Sequence, residues 1–174
     1  MVTLNEQTES SFTFMPIRKI LIALDYDPTA QKVAEMGYSL AKSMHAEVVL
    51  LHVIAENSYY STLDYSPIMG FTGFSNMDPA MNINIEEVKR ASFEFLDKTR
   101  NHLGDETIKT AVAEGDFADS ILESAKELNA DLIVMGTVSK KWLEKAFVGS
   151  VAENVLKHST VPLLIIPTKG KMRS

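Results

Sequence analysis

Short, unbroken apolar runs recur along the chain, and they limit its fold more than any other feature. Ile20-Leu21-Ile22-Ala23-Leu24, ended by Asp25, has no polar alternation, so it reads as a strand buried on both faces. Val48 to Ile54 is a second such run, rich in β-branched residues. Leu132-Ile133-Val134-Met135, halted by Gly136, and Val161-Pro162-Leu163-Leu164-Ile165-Ile166 repeat the pattern. Ile108 to Ala113 is a shorter, partly polar strand between them.

Segments of helical period separate these runs. Asp27-Pro28 supplies an N-cap and a first-turn proline for a helix in which Val33, Gly37, Leu40, Ala41 and Met44 recur, ending near His45. Ile85, Val88, Phe95, Leu96 and Leu103 mark the inward side of a helix over about 85–103, stopped by Gly104. Phe117, Ala118, Ile121, Leu122, Ala125 and Leu128 form a third stripe, and a last helix spans roughly 150–157. Alternation of this kind predicts an α/β fold: a Rossmann-like, open, five-stranded parallel sheet with helices on both faces. Right-handed crossovers leave few windings, one of which has strand order 3-2-1-4-5. There the chain reverses direction between the first and fourth strands, and a ligand crevice opens at their carboxyl ends, where Asp25 and Gly136 stand.

With 174 residues, 45% of them hydrophobic, the chain suits one domain. The expected organisation is a flexible leader over 1–15, the folded domain over 16–168 and a basic tail over 169–174. Within the domain, 57–82 is a long loop that clusters Tyr59, Tyr60, Tyr65, Phe71 and Phe74 with Met69, Met77 and Met81. It reads either as an insertion whose aromatics pack on the body or on a partner, or as a lid over the crevice; loop statistics favour the first.

Several function classes fall away. A net charge of -6 argues against nucleic acid as the partner, and the absence of cysteine removes disulfides, thiolate metal sites and thiol nucleophiles. No apolar run approaches membrane-spanning length, and the polar, acidic start MVTLNEQTES is unlike a signal or transit peptide, so a cytoplasmic protein is expected. Neither Gly-x-Gly-x-x-Gly, nor a P-loop, nor Gly-x-Ser-x-Gly occurs. His45, His52, His102 and His158 are scattered without a metal-binding spacing, so no metal site is expected. A phosphorylatable receiver domain would need an aspartate ending the third strand, where Ala113-Glu114-Gly115 stands instead.

The stretch from Met135-Gly136-Thr137 through Ser139 to Gly149-Ser150 is dense in small residues and lysines and runs into a helix start. Free amides and the positive dipole end suit an anion there, and glycines let backbone approach it. The same residues serve equally as an ordinary strand-to-helix loop with Ser150 as N-cap; spacing alone leaves both readings open.

Three stretches resemble the universal stress proteins of the UspA type: Lys19 to Asp25, Leu50-Leu51-His52-Val53-Ile54, and Met135-Gly136 through Gly149-Ser150 to Leu156 with the closing Val161 to Pro167. ATP-binding members of that family carry a glycine, two residues, a glycine, nine residues, then glycine and serine or threonine. Gly136, Gly149 and Ser150 fall on that pattern, while Ser139 replaces the middle glycine. The resemblance implies a site for ATP, ADP or AMP, with or without magnesium. In it Asp25 holds the ribose hydroxyls, the Val53 backbone meets adenine, and Ala23 and Gly115 line the pocket. Gly136, Thr137, Ser139, Gly149, Ser150 and Val151 surround the phosphates. It also implies a homodimer joined through strand 161–166, and a stress-response or signalling role without fast catalysis, slow hydrolysis being left open. The alternative is a nucleotide-free, dimeric interaction module of the same fold, its site deformed around Ser139.

Overall fold

In the computed structural model, which describes residues 16–55, 84–137 and 150–168, five parallel strands stand in the order β3-β2-β1-β4-β5. They are β1 (Lys19–Ala23), β2 (Glu47–Ile54), β3 (Lys109–Glu114), β4 (Leu132–Thr137) and β5 (Leu163–Pro167). The helices between them are α1 (Ala30–Met44), α2 (Ile85–Leu103), α3 (Phe117–Glu127) and α4 (Ser150–His158). The architecture is the Rossmann-like sheet expected from the alternation of apolar runs and helical stripes. The leader 1–15, the aromatic-rich 57–82 and the tail 169–174 lie outside the described residues.

Strand periodicity divides the core between two layers. Ile20, Ile22, Val48, Leu50 and Val134 face one way and pack with Val33, Ala34 and Ala41 of α1 and Leu96 of α2. Leu21, Val49, Leu51, Val53, Ile133 and Met135 face the other way, against Ala118 and Ile121 of α3 and Ala152 and Val155 of α4. Ile20, Ile22, Leu50, Ile133 and Val134 have no exposed surface. Each such aliphatic side chain contributes about 1.5–3 kcal/mol through burial, so the central strands carry much of the stability.

Local signals account for most helix ends. The Asn84 side chain accepts from the Glu86 amide, and α2 closes on Gly104 at φ 68°. Asp116 caps α3 by accepting from the Ala118 and Asp119 amides. Three boundaries differ from expectation. The first helix begins at Ala30 and not at Asp27-Pro28, because the Asp27 carboxylate accepts from both the amide and the hydroxyl of Thr29 and closes a turn instead. The last strand begins at Leu163, since the Ser159 hydroxyl holds both the amide and the carbonyl of Val161 in a turn. Gly136 does not halt β4: it pairs with Ile166, and Thr137 with Pro167.

Candidate functional site at the strand tips

Strand order alone creates an opening. From β1 the chain leaves through α1 toward β2, whereas from β4 it proceeds toward α4 and β5 on the other side of the sheet. The carboxyl ends of β1 and β4 are therefore adjacent while their continuations diverge. Ala23 is level with Leu51 and with Met135. Val53 and Thr137 stand two residues beyond those partners within β2 and β4, and Asp25 follows just past the end of β1 at the same end of the sheet.

Asp25 is exposed at the mouth, and one of its oxygens accepts from the Asp27 amide at 3.2 Å. Protein crowding on its inner side raises its pKa above the ordinary carboxylate value. The Asp27 amide opposes this and the Asp27 charge adds to it. Because Asp27 closes the turn before α1, Asp25 is not that helix's cap.

The turn bearing Asp25 rests on a buried polar cluster that sequence reasoning did not single out. The carbonyl of Leu24 can only accept, so the 2.8 Å contact with His52 fixes the proton on Nδ1 of this buried ring. Burial lowers the His52 pKa, against the opposing effect of the Leu24 carbonyl. The Tyr26 ring lies 4.3 Å from the His52 ring and 4.9 Å from Phe95. The Tyr26 hydroxyl meets the Ser92 hydroxyl at 2.9 Å, and Ser92 donates to the Val88 carbonyl. A polar residue on the inward stripe of α2, between Val88 and Leu96, was the legible sign of this arrangement.

Ala23 ends β1, and Val53 is buried near the end of β2. Gly115 follows β3 at φ 138°, a conformation that side chains disfavour, and donates its amide to the Ile54 carbonyl at 3.0 Å. Gly136 is explained by crowding. A Cβ there would lie 2.8 Å from a Val33 methyl and 2.9 Å from the Thr168 methyl. Thr168 also donates its hydroxyl to the Thr137 carbonyl, and Lys32 donates to the Pro167 carbonyl, so the end of β5 is tied over the tip of β4. Ser150, exposed, opens α4, with Val151 half-buried beside it. Ser139 and Gly149 lie outside the described residues, which leaves the segment between β4 and α4 described only at its two ends.

Chemically, the mouth offers carboxylates, hydroxyls and main-chain groups, and the one nearby imidazole nitrogen defined by a contact is engaged with a carbonyl. Among the described residues no three His, Asp or Glu side chains gather to hold a metal ion. No helix among them is long and apolar enough to cross a membrane. A cavity of about 430 Å³ sits at the opposite end of the sheet, lined by Lys126, Asn129, His158 and Val161 among others, and none of the expected site residues borders it.

Comparison with known proteins gives a consistent picture. The model of the universal stress protein family matches residues 16–167. Universal stress protein MJ0531 of Methanocaldococcus jannaschii is 32% identical over 156 residues, covering 88% of this chain and 84% of that protein. MJ0577 of the same organism is 29% identical over 158 residues, covering 88% and 96%. A solved structure of MJ0577 aligns with TM-score 0.66 at 24% identity, over 90% of this chain and 100% of that one. A universal stress protein solved in complex with cAMP aligns with TM-score 0.57 at 18% identity, over 87% and 98%.

Proposed function

The chain belongs to the universal stress protein family, and from that premise we propose that it binds ATP, or the related ADP or AMP, in the crevice between the tips of β1 and β4. The nucleotide acts as a signal or structural ligand in a cytoplasmic stress or signalling role, without fast turnover. The observation that carries this reading is the adjacency of the carboxyl ends of β1 and β4, where the chain diverges and Asp25 follows directly after β1. A protein of the same fold crystallised with cAMP supports the fold's capacity for an adenine nucleotide.

In this reading Asp25 accepts from the ribose hydroxyls, as an acidic residue does in Rossmann-type sites. The Val53 backbone meets the adenine, with Ala23 and Gly115 as walls. The amides and hydroxyls of Gly136, Thr137, Ser139, Gly149, Ser150 and Val151 hold the phosphates beside the start of α4, where helix N–H groups favour anions. Asp25 and Asp27 would hold a magnesium ion accompanying the triphosphate through waters and phosphate oxygens, and the ion would offset the phosphate charge. Two copies associate through the β5 edge, where Leu164 is 38% exposed.

Titration with ATP and magnesium, followed by thermal unfolding, tests this directly. Ligand at a hundred times its dissociation constant stabilises the protein by about 2.7 kcal/mol, and Asp25→Ala should lose most of that gain. No shift at millimolar ATP would favour the second reading, an interaction module without nucleotide. That reading draws on Gly136, whose lack of a side chain is accounted for by Val33 and Thr168 with no ligand present.

A further inference from the structure

We propose that His52 is a positioning residue for Asp25, holding in place the turn that carries this carboxylate to the crevice mouth. Asp25 has two chain neighbours, and one imidazole contacts both. On one side, Nδ1–H of His52 donates to the Leu24 carbonyl at 2.8 Å. On the other, the His52 ring lies against the Tyr26 ring, with centroids 4.3 Å apart at 53°. Leu24 is further tied to β2 by its amide, which donates to the Leu51 carbonyl at 2.9 Å. Tyr26 is tied to α2 through Ser92 and Phe95.

The choice of residue follows from the location. His52 lies in a strand whose neighbours Leu50, Leu51, Val53 and Ile54 are buried, and is itself 5% exposed. A buried polar group needs a strong reason to be there, since an aliphatic side chain would fill the space without a desolvation cost. An aliphatic residue would leave the Leu24 carbonyl without this donor and the Tyr26 ring without its tilted partner. The turn would then be free to let Asp25 swing outward into water. Burial also disfavours the charged form of His52, and the Nδ1–H donor is present in the neutral ring.

The ligand half of this inference rests on the nucleotide reading above; the Asp25 half does not. The variants His52→Phe, which keeps a ring but has no donor, and His52→Asn, whose amide reaches the place of Nδ1–H, separate packing from hydrogen bonding. The first measurement follows the Asp25 carboxyl by carbon-13 NMR across a pH titration of the ligand-free protein. In His52→Phe its pKa should fall toward the ordinary value, and in His52→Asn it should return toward that of the unaltered protein. The second compares ATP with 2′,3′-dideoxyATP, which lacks the hydroxyls Asp25 would accept from. The unaltered protein should favour ATP by about tenfold or more, His52→Phe should lose that preference, and His52→Asn should regain it. Should His52→Phe fail to fold, Tyr26→Leu removes the other contact and should move the Asp25 titration in the same direction. An Asp25 titration unchanged in a folded His52→Phe or Tyr26→Leu protein overturns the inference. If the unaltered protein binds neither nucleotide, the nucleotide reading falls, while the titration still decides the role of His52.

Discussion

Replacing Gly136 with alanine separates two reasons for a glycine at the tip of β4. Its backbone is not among the positive-φ positions, so alanine meets no torsional objection. If a ligand alone required the bare backbone, Gly136→Ala would stiffen the unfolded chain and stabilise the ligand-free protein by about 0.4–1 kcal/mol. The structure predicts the opposite sign. The new methyl would sit 2.8 Å from Val33 Cγ2 and 2.9 Å from Thr168 Cγ2, well inside ordinary carbon–carbon contact. Neither neighbour can easily turn aside: Val33 is a β-branched residue in a helix, and the Thr168 hydroxyl is engaged with the Thr137 carbonyl. Overpacking of this kind costs about 1–3 kcal/mol, and two rigid contacts place Gly136→Ala in the upper half of that range. Urea unfolding of the ligand-free protein reads the loss, and a Tm lowered by about 2–4 °C per kcal/mol accompanies it. Val33→Ala alone costs about 2 kcal/mol through lost burial and a small cavity. Because it removes one of the clashing methyls, the double variant should be more stable than the sum of the two losses implies, by about 1 kcal/mol. A Gly136→Ala protein as stable as the original, or a cycle additive within about 0.5 kcal/mol, would refute the packing account.

Three further outcomes are expected. Asp25 has a raised pKa, so the stability it contributes is full below the ordinary 3.8 and is lost as pH rises through its folded value. Asp25→Asn should therefore flatten that window and raise ligand-free stability at pH 7 while weakening nucleotide binding, as denaturation midpoints at pH 4 and pH 7 and a parallel titration would report; a lower midpoint at pH 7 counts against it. Asp105 titrates at about 2, held down first by the Thr107 hydroxyl, then by the Thr107 amide and the Tyr38 hydroxyl. Its contribution is present above 3.8 and fades as pH falls toward 2, so Asp105→Asn should flatten the acid limb of the stability profile, and an unaltered limb would contradict this. Leu164→Arg, on the β5 edge, should convert the proposed dimer to monomer by light scattering, and a monomeric unaltered protein would remove the dimer.

Elements that depend on neighbours in sequence were the legible ones. The stripe from Ile85 to Leu103 and its stop at Gly104 define α2 because capping and periodicity are local. Apolar runs disclosed the strands, since a strand in a parallel sheet is covered on both faces. The handedness of crossovers, a geometric rule independent of side chains, narrowed the sheet to a few windings, and the observed order is one of them. What stayed hidden depends on partners distant along the chain. Spacing leaves Gly136 open between a backbone kept bare for a ligand and an ordinary loop residue, and the Val33 and Thr168 methyls that crowd it come near only in the folded chain. His52 looked like one apolar-strand histidine among four scattered ones, because the Leu24 carbonyl it serves becomes adjacent only once β1 and β2 pair. Likewise Asp27-Pro28 has the composition of a helix start, and only the bonds from Thr29 to the Asp27 side chain show that the residues are used for a turn.

The central position of β1 has a consequence for biosynthesis. Its first partner, β2, follows soon after it in the chain, but its other partner is remote: the Arg18 amide bonds to Asp131, 113 residues further on. At ribosomal speeds that separation is on the order of ten seconds. Throughout that interval β1 lacks its second neighbour and keeps one border of unpaired backbone amides and carbonyls. Newborn chains therefore pass through a stage with an unsatisfied strand border, and the cell's holding machinery has that time to shield it before the second half arrives to close the sheet.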